Sequence, residues 1–362
     1  MITPEQIDYI EFNVTNRCNS GCPGCVRTQM LDDDIQSNQL QLTSITPDLF
    51  ETIAQGLGEH AKNITASFCG TTGDAMSHPH IEEIVDIALK YYKDVFLETN
   101  GGTRTTQWWG NFAKKQNVKV RFSIDGLADT NVLYRINTDF EKIIANAKAF
   151  IDAKGNADWK YIIFDHNQHQ VEQARDLARE IGFKNFTTVV SNRFYRKKIT
   201  VDPDRYQAKI NKVDKKIKQT GFEIKPSAKS DKEVIAKQQE TWETLDSDQS
   251  VSIDCRTSKE GYLFVDQWGK LWPCCFWAAM DEGGWKKDSL HWSVWKNKFE
   301  GMYGKDFNQL SESNTITDML EHDLYKSWLP DSFSGQHDKC TVCISKCTAK
   351  KTAKNNLVRE RL

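Results

Sequence analysis

Nowhere in the 362 residues do eighteen apolar side chains run together, and Met1 leads into the polar stretch ITPEQ without an apolar leader. A bilayer-spanning helix needs about 20 mostly apolar residues, so no membrane partner is expected. The absent leader predicts a cytoplasmic protein. A charge excess is missing too: 48 Lys and Arg against 50 Asp and Glu leave a formal net charge of −2. A phosphate-tracking surface needs a basic stripe. The basic stretches present, 193–198 and the C-terminal tail, lie outside the motifs below, so nucleic acid is not an expected partner. No fixed-period repeat is found, which excludes a repeat architecture.

Hydrophobic residues make up 39% of the chain, enough for a core, and the length suits two domains or a barrel with an accessory. Up to residue 191, short apolar runs alternate with amphipathic stretches. Strands are predicted at 9–14, 64–68, 95–97, 118–124, 161–164 and 186–190. Between the first two, Thr46-Pro47 reads as an N-cap with proline in the first turn, and Leu49, Phe50, Ile53 and Leu57 recur at helical spacing. Further helices are predicted from about residue 80, over 140–151, and over 171–181 ahead of Gly182. Strands separated by helices imply right-handed βαβ units and a parallel sheet. Six such strands suit a partial (β/α)6 barrel of the α/β class, with its chemistry at the strand carboxyl ends.

Residues 192–250 are charged and poor in large apolar side chains, and read as exposed helices and linker. From 251 the chain turns aromatic and cysteine-bearing, which predicts a small α+β accessory domain over 251–362. Its basic tail, TAKKTAKNNLVRERL, reads as solvated charge. Trp268, Trp272, Trp277, Trp285, Trp292 and Trp295 crowd this region, as core packing in a small domain would.

Ten cysteines need a purpose. Disulfides are rare in a reducing cytosol, so clustered thiols there point to metal or catalysis. Cys18, Cys22 and Cys25 stand as C-x3-C-x2-C after the first predicted strand, in a loop with Gly21, Pro23 and Gly24. Thiolates ligate iron–sulfur clusters. Three ligands for four irons leave one iron open, and an open position is what a catalytic metal centre keeps. A closed zinc site would want a fourth ligand, and no Cys or His lies close by; three inert buried cysteines are the other reading. Near the other end, CRTSKEGYLFVDQWGKLWPC predicts a hairpin turning at Gly269, which can bring Cys255 and Cys274 together. Cys340, Cys343 and Cys347 follow as C-x2-C-x3-C. A pair from the hairpin and a pair from this knuckle can enclose a metal. Cys255, Cys274, Cys340 and Cys343 are favoured, with Cys347 competing for one place, and a structural zinc fits the same spacing. Cys69 and Cys275 are left over, and free cysteines are most often small buried hydrophobes.

The loop EFNVTNRCNSGCPGCVR resembles the cluster motif of the radical S-adenosylmethionine (SAM) superfamily, where the same spacing follows the first barrel strand. Asn16-Arg17-Cys18-Asn19 is similar to the usual surroundings of the first cysteine, whereas Gly24 departs from the aromatic residue often found before the third. Gly70-Thr71-Thr72-Gly73-Asp74, closed by Pro79, resembles the family's Gly-Gly-Glu segment, in which loop backbone and acidic residue meet the SAM amino group. Aspartate here replaces the commoner glutamate. Glu98-Thr99-Asn100-Gly101 resembles the turn after the third strand. Phe122-Ser123-Ile124-Asp125-Gly126 resembles the end of the fourth, where a polar side chain, here Ser123, meets the ribose. Arg135 stands where such enzymes place a cation for the SAM carboxylate.

The resemblance implies a SAM barrel over 1–191, with Gly70, Gly73, Asp74, Asn100, Ser123, Asp125 and Arg135 binding SAM. The second cysteine set resembles SPASM/Twitch accessory domains, which implies one auxiliary 4Fe–4S cluster held from among Cys255, Cys274, Cys340, Cys343 and Cys347. The activity implied is reductive cleavage of SAM, by an electron from the first 4Fe–4S cluster, to a 5′-deoxyadenosyl radical that takes hydrogen from a substrate carbon. A peptide or protein is the first substrate expected, and dehydrogenation of a small sugar- or nucleotide-like molecule is the alternative. A non-catalytic zinc-binding interaction module is the reading from another class. The resemblance also implies an electron donor such as flavodoxin or ferredoxin, and makes Cys69 and Cys275 candidate thiol hydrogen donors.

Overall fold

The computed structural model describes residues 3–28, 41–191, 194, 199–201, 222–233, 235–236, 248–283, 286–347 and 357–362. Strand β1 (Tyr9–Phe12) is followed by α1 (Pro47–Gln55), β2 (Thr65–Phe68), α2 (Ile81–Tyr91), β3 (Asp94–Thr99), α3 (Thr106–Phe112) and β4 (Val118–Ser123). Then come α4 (Phe140–Asp152), β5 (Asn156–Ile163), α5 (Val171–Ile181) and β6 (Asn185–Val190). Beyond lie β7 (Ile199–Val201), β8 (Phe222–Ile224), β9 (Tyr262–Val265), β10 (Leu271–Trp272), α6 (Cys275–Asp281), α7 (Lys286–Tyr303), α8 (Thr341–Cys347) and β11 (Leu357–Arg361). The α/β class is as predicted, and the strands form largely parallel sheet that does not close on itself. The chain folds as two compact units: Met1–Arg17, Gln29–Phe96 and Thr244–Ala353 make the first, and Cys18–Thr28, Leu97–Glu243 and Lys354–Leu362 the second.

In the first unit β1 lies between β2 and β9 and is parallel to both, with Tyr9 opposite Thr65 on one side and Tyr262 on the other. Period-two alternation sends Ile10 and Phe12 to the helix-covered face, where Phe12 meets Phe50 of α1 at a ring separation of 5.1 Å and Tyr92 at 5.7 Å. Helix α1 starts as its sequence asks: Pro47 opens it, and the Thr46 hydroxyl accepts from Leu49 N at 3.2 Å. The predicted hairpin forms from β9 and antiparallel β10. Gly269 takes φ +79° in its turn, and Asp266 Oδ1 accepts from Trp268 N at 2.9 Å and Lys270 N at 3.0 Å.

In the second unit β4, β5 and β6 are parallel, and β11 pairs antiparallel with β6, Leu357 opposite Val189. The tail read as solvated charge therefore ends as an edge strand. Strand β5 starts at Asn156 rather than at 161. Asp158, which reads as a loop residue, is fully buried there because Lys119 Nζ at 2.7 Å and Asn185 Nδ2 at 2.6 Å satisfy it from the two neighbouring strands. Helix α3 was not predicted either; Trp109 and Phe112 bury its one apolar face beside Phe122 and Phe150. Within the stretch read as linker, β7 and β8 pair, and Phe194, Ile224 and Ile235 join Phe164 in a small core. Most of 202–247 and the tail before 357 lie outside the described residues.

Candidate functional site

The cysteine loop is built within the second unit by short-range contacts. Gly21 N donates to Ile136 O at 2.9 Å, and the Ser20 hydroxyl lies 3.2 Å from the same oxygen and 3.1 Å from Cys22 Sγ. Cys25 N closes a turn on Cys22 O at 3.0 Å. Asn100, buried after β3, braces the loop: its Nδ2 donates to Asn19 Oδ1 at 2.8 Å and approaches Cys18 Sγ at 3.8 Å. Cys22 is buried while Cys18 and Cys25 stay partly open. Burial raises the Cys22 thiol above its ordinary pKa, Arg135 opposes that, and the Cys25 charge adds to it. Beside Gly24 lies Tyr134, whose hydroxyl would stand 3.2 Å from any Cβ added there. An aromatic ring is thus supplied at this point from another segment.

Arg135 brings a cation to this loop. Its Nε donates to Asp125 Oδ2 at 2.7 Å, and its Nη1 lies 3.8 Å from Cys22 Sγ. Asp125 is fully buried, and its second oxygen accepts from Ile162 N at 2.7 Å. Burial lifts the Asp125 pKa and Arg135 pulls against it, so the guanidinium is what makes a charged Asp125 tolerable there. Asp125 therefore positions Arg135. Ser123 donates to Glu98 Oε1 at 2.9 Å, and the same oxygen takes Lys160 Nζ at 2.5 Å while Arg121 Nη1 is 3.6 Å from Oε2. Burial alone would raise the Glu98 pKa, but Lys160 and then Arg121 outweigh it and hold it at about 2. Glu98 sits in a segment read only as a turn and Lys160 just ahead of the strand predicted at 161–164, and polar residues alternating with buried ones in β3 and β5 are the signal that marks them.

The glycine loop belongs to the first unit. Gly70 adopts φ +62°, and a Cβ at Gly73 would lie 2.0 Å from Thr15 O, so both positions require glycine. Asp74 N donates to Arg17 O at 2.9 Å, and Asp74 Oδ1 accepts from Met76 N at 3.0 Å, capping a short turn. Cys69 lies 3.0 Å from Ser67 Oγ.

All six accessory cysteines belong to this unit. Cys255 and Cys274 precede short helices, Cys275 opens α6, Cys340 leads into α8, and Cys343 and Cys347 lie on it. Their thiols feel one another. A hydrogen bond with Cys340, then burial, lifts the Cys343 pKa; burial and then Cys343 and Cys255 lift Cys347. Burial lifts Cys274, and Cys275, Cys347 and Cys343 add to it. Cys347 thus stands close in this set, whereas Cys275 also bonds the Tyr262 hydroxyl. Among the described residues, no three His, Cys, Asp or Glu side chains close on a point suited to a single metal ion. The buried indole N–H of Trp277, otherwise without an acceptor, leans on the Cys343 thiol without full hydrogen-bond geometry. A buried N–H donor beside a set of interacting thiols fits a group ligated by thiolates. Sequence reasoning had assigned Trp277 to packing alone.

Residues 12–181 match the family model of the radical SAM superfamily. No curated protein matches the chain. Among solved structures it is similar to native anSMEcpe with bound AdoMet, at a TM-score of 0.51 and 15% identity over 94% of this chain and 89% of that one. With bound AdoMet and Cp18Cys peptide the same protein gives 0.50 and 15% over 90% and 83%. Streptococcus suis SuiB bound to precursor peptide SuiA gives 0.49 and 13% over 74% of this chain, which spans 60% of SuiB. At these identities the likeness is one of fold. No described helix is long and apolar enough to cross a membrane.

Proposed function

We propose that this chain, which matches the radical SAM superfamily model over residues 12–181, cleaves SAM at a cluster held by Cys18, Cys22 and Cys25 and modifies a peptide or protein. When bound, such a cluster supplies one electron that splits SAM into methionine and the 5′-deoxyadenosyl radical. The observation that carries the reading is the Arg135–Asp125 pair: a guanidinium anchored at 2.7 Å by a buried carboxylate, with its Nη1 3.8 Å from Cys22 Sγ. A fixed cation beside the cysteine loop suits the SAM carboxylate, since guanidinium pairs with carboxylates in fork geometry. Ser123 and Asn100 supply polar contacts at the ends of β4 and β3. Tyr134 offers the ring that Gly24 lacks.

Cys255, Cys274, Cys343 and either Cys340 or Cys347 would hold an auxiliary 4Fe–4S cluster of the SPASM/Twitch kind, with the Trp277 N–H directed at the Cys343 sulfur. Peptide substrates are supported by that accessory cysteine pattern and by the fold shared with anSMEcpe, whose structure carries a Cp18Cys peptide. This is a family-level argument. A flavodoxin or ferredoxin would supply the electron, and a compartment with reduced thiols, the cytoplasm, suits ten free cysteines. The test is 5′-deoxyadenosine formation with candidate peptides, small metabolites and oligonucleotides side by side. Peptide-dependent stimulation is expected. Stimulation by a free sugar or an oligonucleotide with peptides inert would overturn the substrate class and leave the radical chemistry standing.

A further inference from the structure

A second polar set in the first unit has no task in this reading. Strands β9, β1 and β2 lie side by side in parallel, and just past their carboxyl ends come Gln267, Asn13 and Thr72, all buried. The carboxyl edge of a parallel sheet is where ligands bind in such folds. Asn13 Nδ2 donates to Thr72 Oγ1 at 2.7 Å and to Gln267 Oε1 at 2.6 Å. Gln267 Nε2 in turn donates to Glu282 Oε1, the Thr72 hydroxyl bonds the same carboxyl group, and Asn16 Nδ2 reaches Oε1 at 3.5 Å. Glu282 follows α6 and stays partly exposed.

The direction of these bonds is informative. Turning the Asn13 amide would set its oxygen against Gln267 Oε1, and turning both amides would set the Gln267 oxygen against Glu282. With Glu282 ionised, every proton in the chain points toward it. Yet among the described residues no Lys, Arg or His pairs with it. Burial pushes its pKa up to about 7, with Asp266 adding to the rise against the bonds from Thr72 and Gln267. At the other end of the chain Asn13 Oδ1, in a residue 1% exposed, accepts no hydrogen bond. An aimed carboxylate without a counter-cation asks for N–H donors carried on a positive charge.

We propose that Glu282, at the end of this chain of aimed donors, forms an anchoring subsite for a primary ammonium group of the substrate. An ammonium is compact and carries three donors and one charge; a hydroxyl or amide would leave the carboxylate unmatched. The inference rests on the chain being an enzyme with substrate at these strand ends, and it names the chemical group that the peptide reading leaves open: an N-terminal amine or a lysine side chain.

The test uses full-length protein with its clusters reconstituted and no reductant, so no turnover is involved. Binding of n-butylammonium and of neutral 1-butanol is followed by saturation-transfer NMR. Wild-type protein is expected to bind butylammonium and not butanol, and Glu282→Gln to weaken the ammonium by roughly tenfold or more. Glu282→Asp, which keeps the charge, should retain part of the binding. Saturating SAM should leave the ammonium signal in place. Equal response to both probes, undiminished binding by Glu282→Gln, or displacement by SAM, which would give the subsite to the SAM amino group, overturns the proposal. The wild-type arms decide even where the variant fails to fold. Probe binding needs no SAM cleavage, so it stands or falls separately from the radical assignment.

Discussion

At Glu98 one carboxylate, its side chain 17% exposed, serves Lys160, Arg121 and Ser123 together. Removing its charge leaves two cations facing each other across adjacent strands. Glu98→Gln should therefore cost about 3 kcal/mol at neutral pH, read from urea unfolding. The folded pKa near 2 lies below the unfolded value of 4.5, so the stabilisation is complete above the unfolded value and is lost as pH falls through the folded one. The gap between wild type and variant should close toward that lower pH, and a gap independent of pH would contradict the assignment. Glycine offers a sharper steric contrast. Gly73→Ala drives a Cβ to 2.0 Å from the Thr15 carbonyl and should cost about 3 kcal/mol, whereas Gly301→Ala, in α7 with nothing within 4 Å, should stabilise by about 1 kcal/mol. Thermal unfolding of both variants checks the pair, and equal effects would refute the close-packed loop.

At the scale of elements, periodicity carried far where one face alone is buried. Helices α1, α2, α4 and α5 lie where their apolar spacing and caps put them, and α5 ends at Gly182 with φ +98°. The cysteine loop and the Gly269 hairpin were legible because glycine, proline and thiols have few structural uses. Pairing was not legible. Nothing in Tyr262–Val265 says that it will lie parallel to β1, since an alternating or apolar run fits any neighbour that shares its face. The start of β5 was hidden because burying Asp158 depends on Lys119 and Asn185, far away in sequence. The β11 strand was hidden because charged alternation reads equally as solvated tail. Removing residues 357–362 should expose the β6 edge, lower the unfolding midpoint by roughly 5 °C and promote association. Light scattering and a thermal melt of the truncated protein check this, and an unchanged melt would mean that β11 adds nothing.

For the whole molecule, the account puts one cysteine set in each unit and gives each a cluster. Anaerobic reconstitution should give about eight irons per chain, and replacing the first triad should leave about four. A colourless triad variant that holds zinc and no iron would remove the auxiliary cluster and make the accessory cysteines a structural knuckle. The central claim is narrower: the loop carrying Cys18, Cys22 and Cys25 drives reductive cleavage of SAM. The most direct measurement is the anaerobic yield of 5′-deoxyadenosine from SAM with a chemical reductant, for wild type and for Cys18→Ala, Cys22→Ala and Cys25→Ala. Wild type should form the nucleoside and each variant should form none, while undiminished product from all three variants would contradict the account.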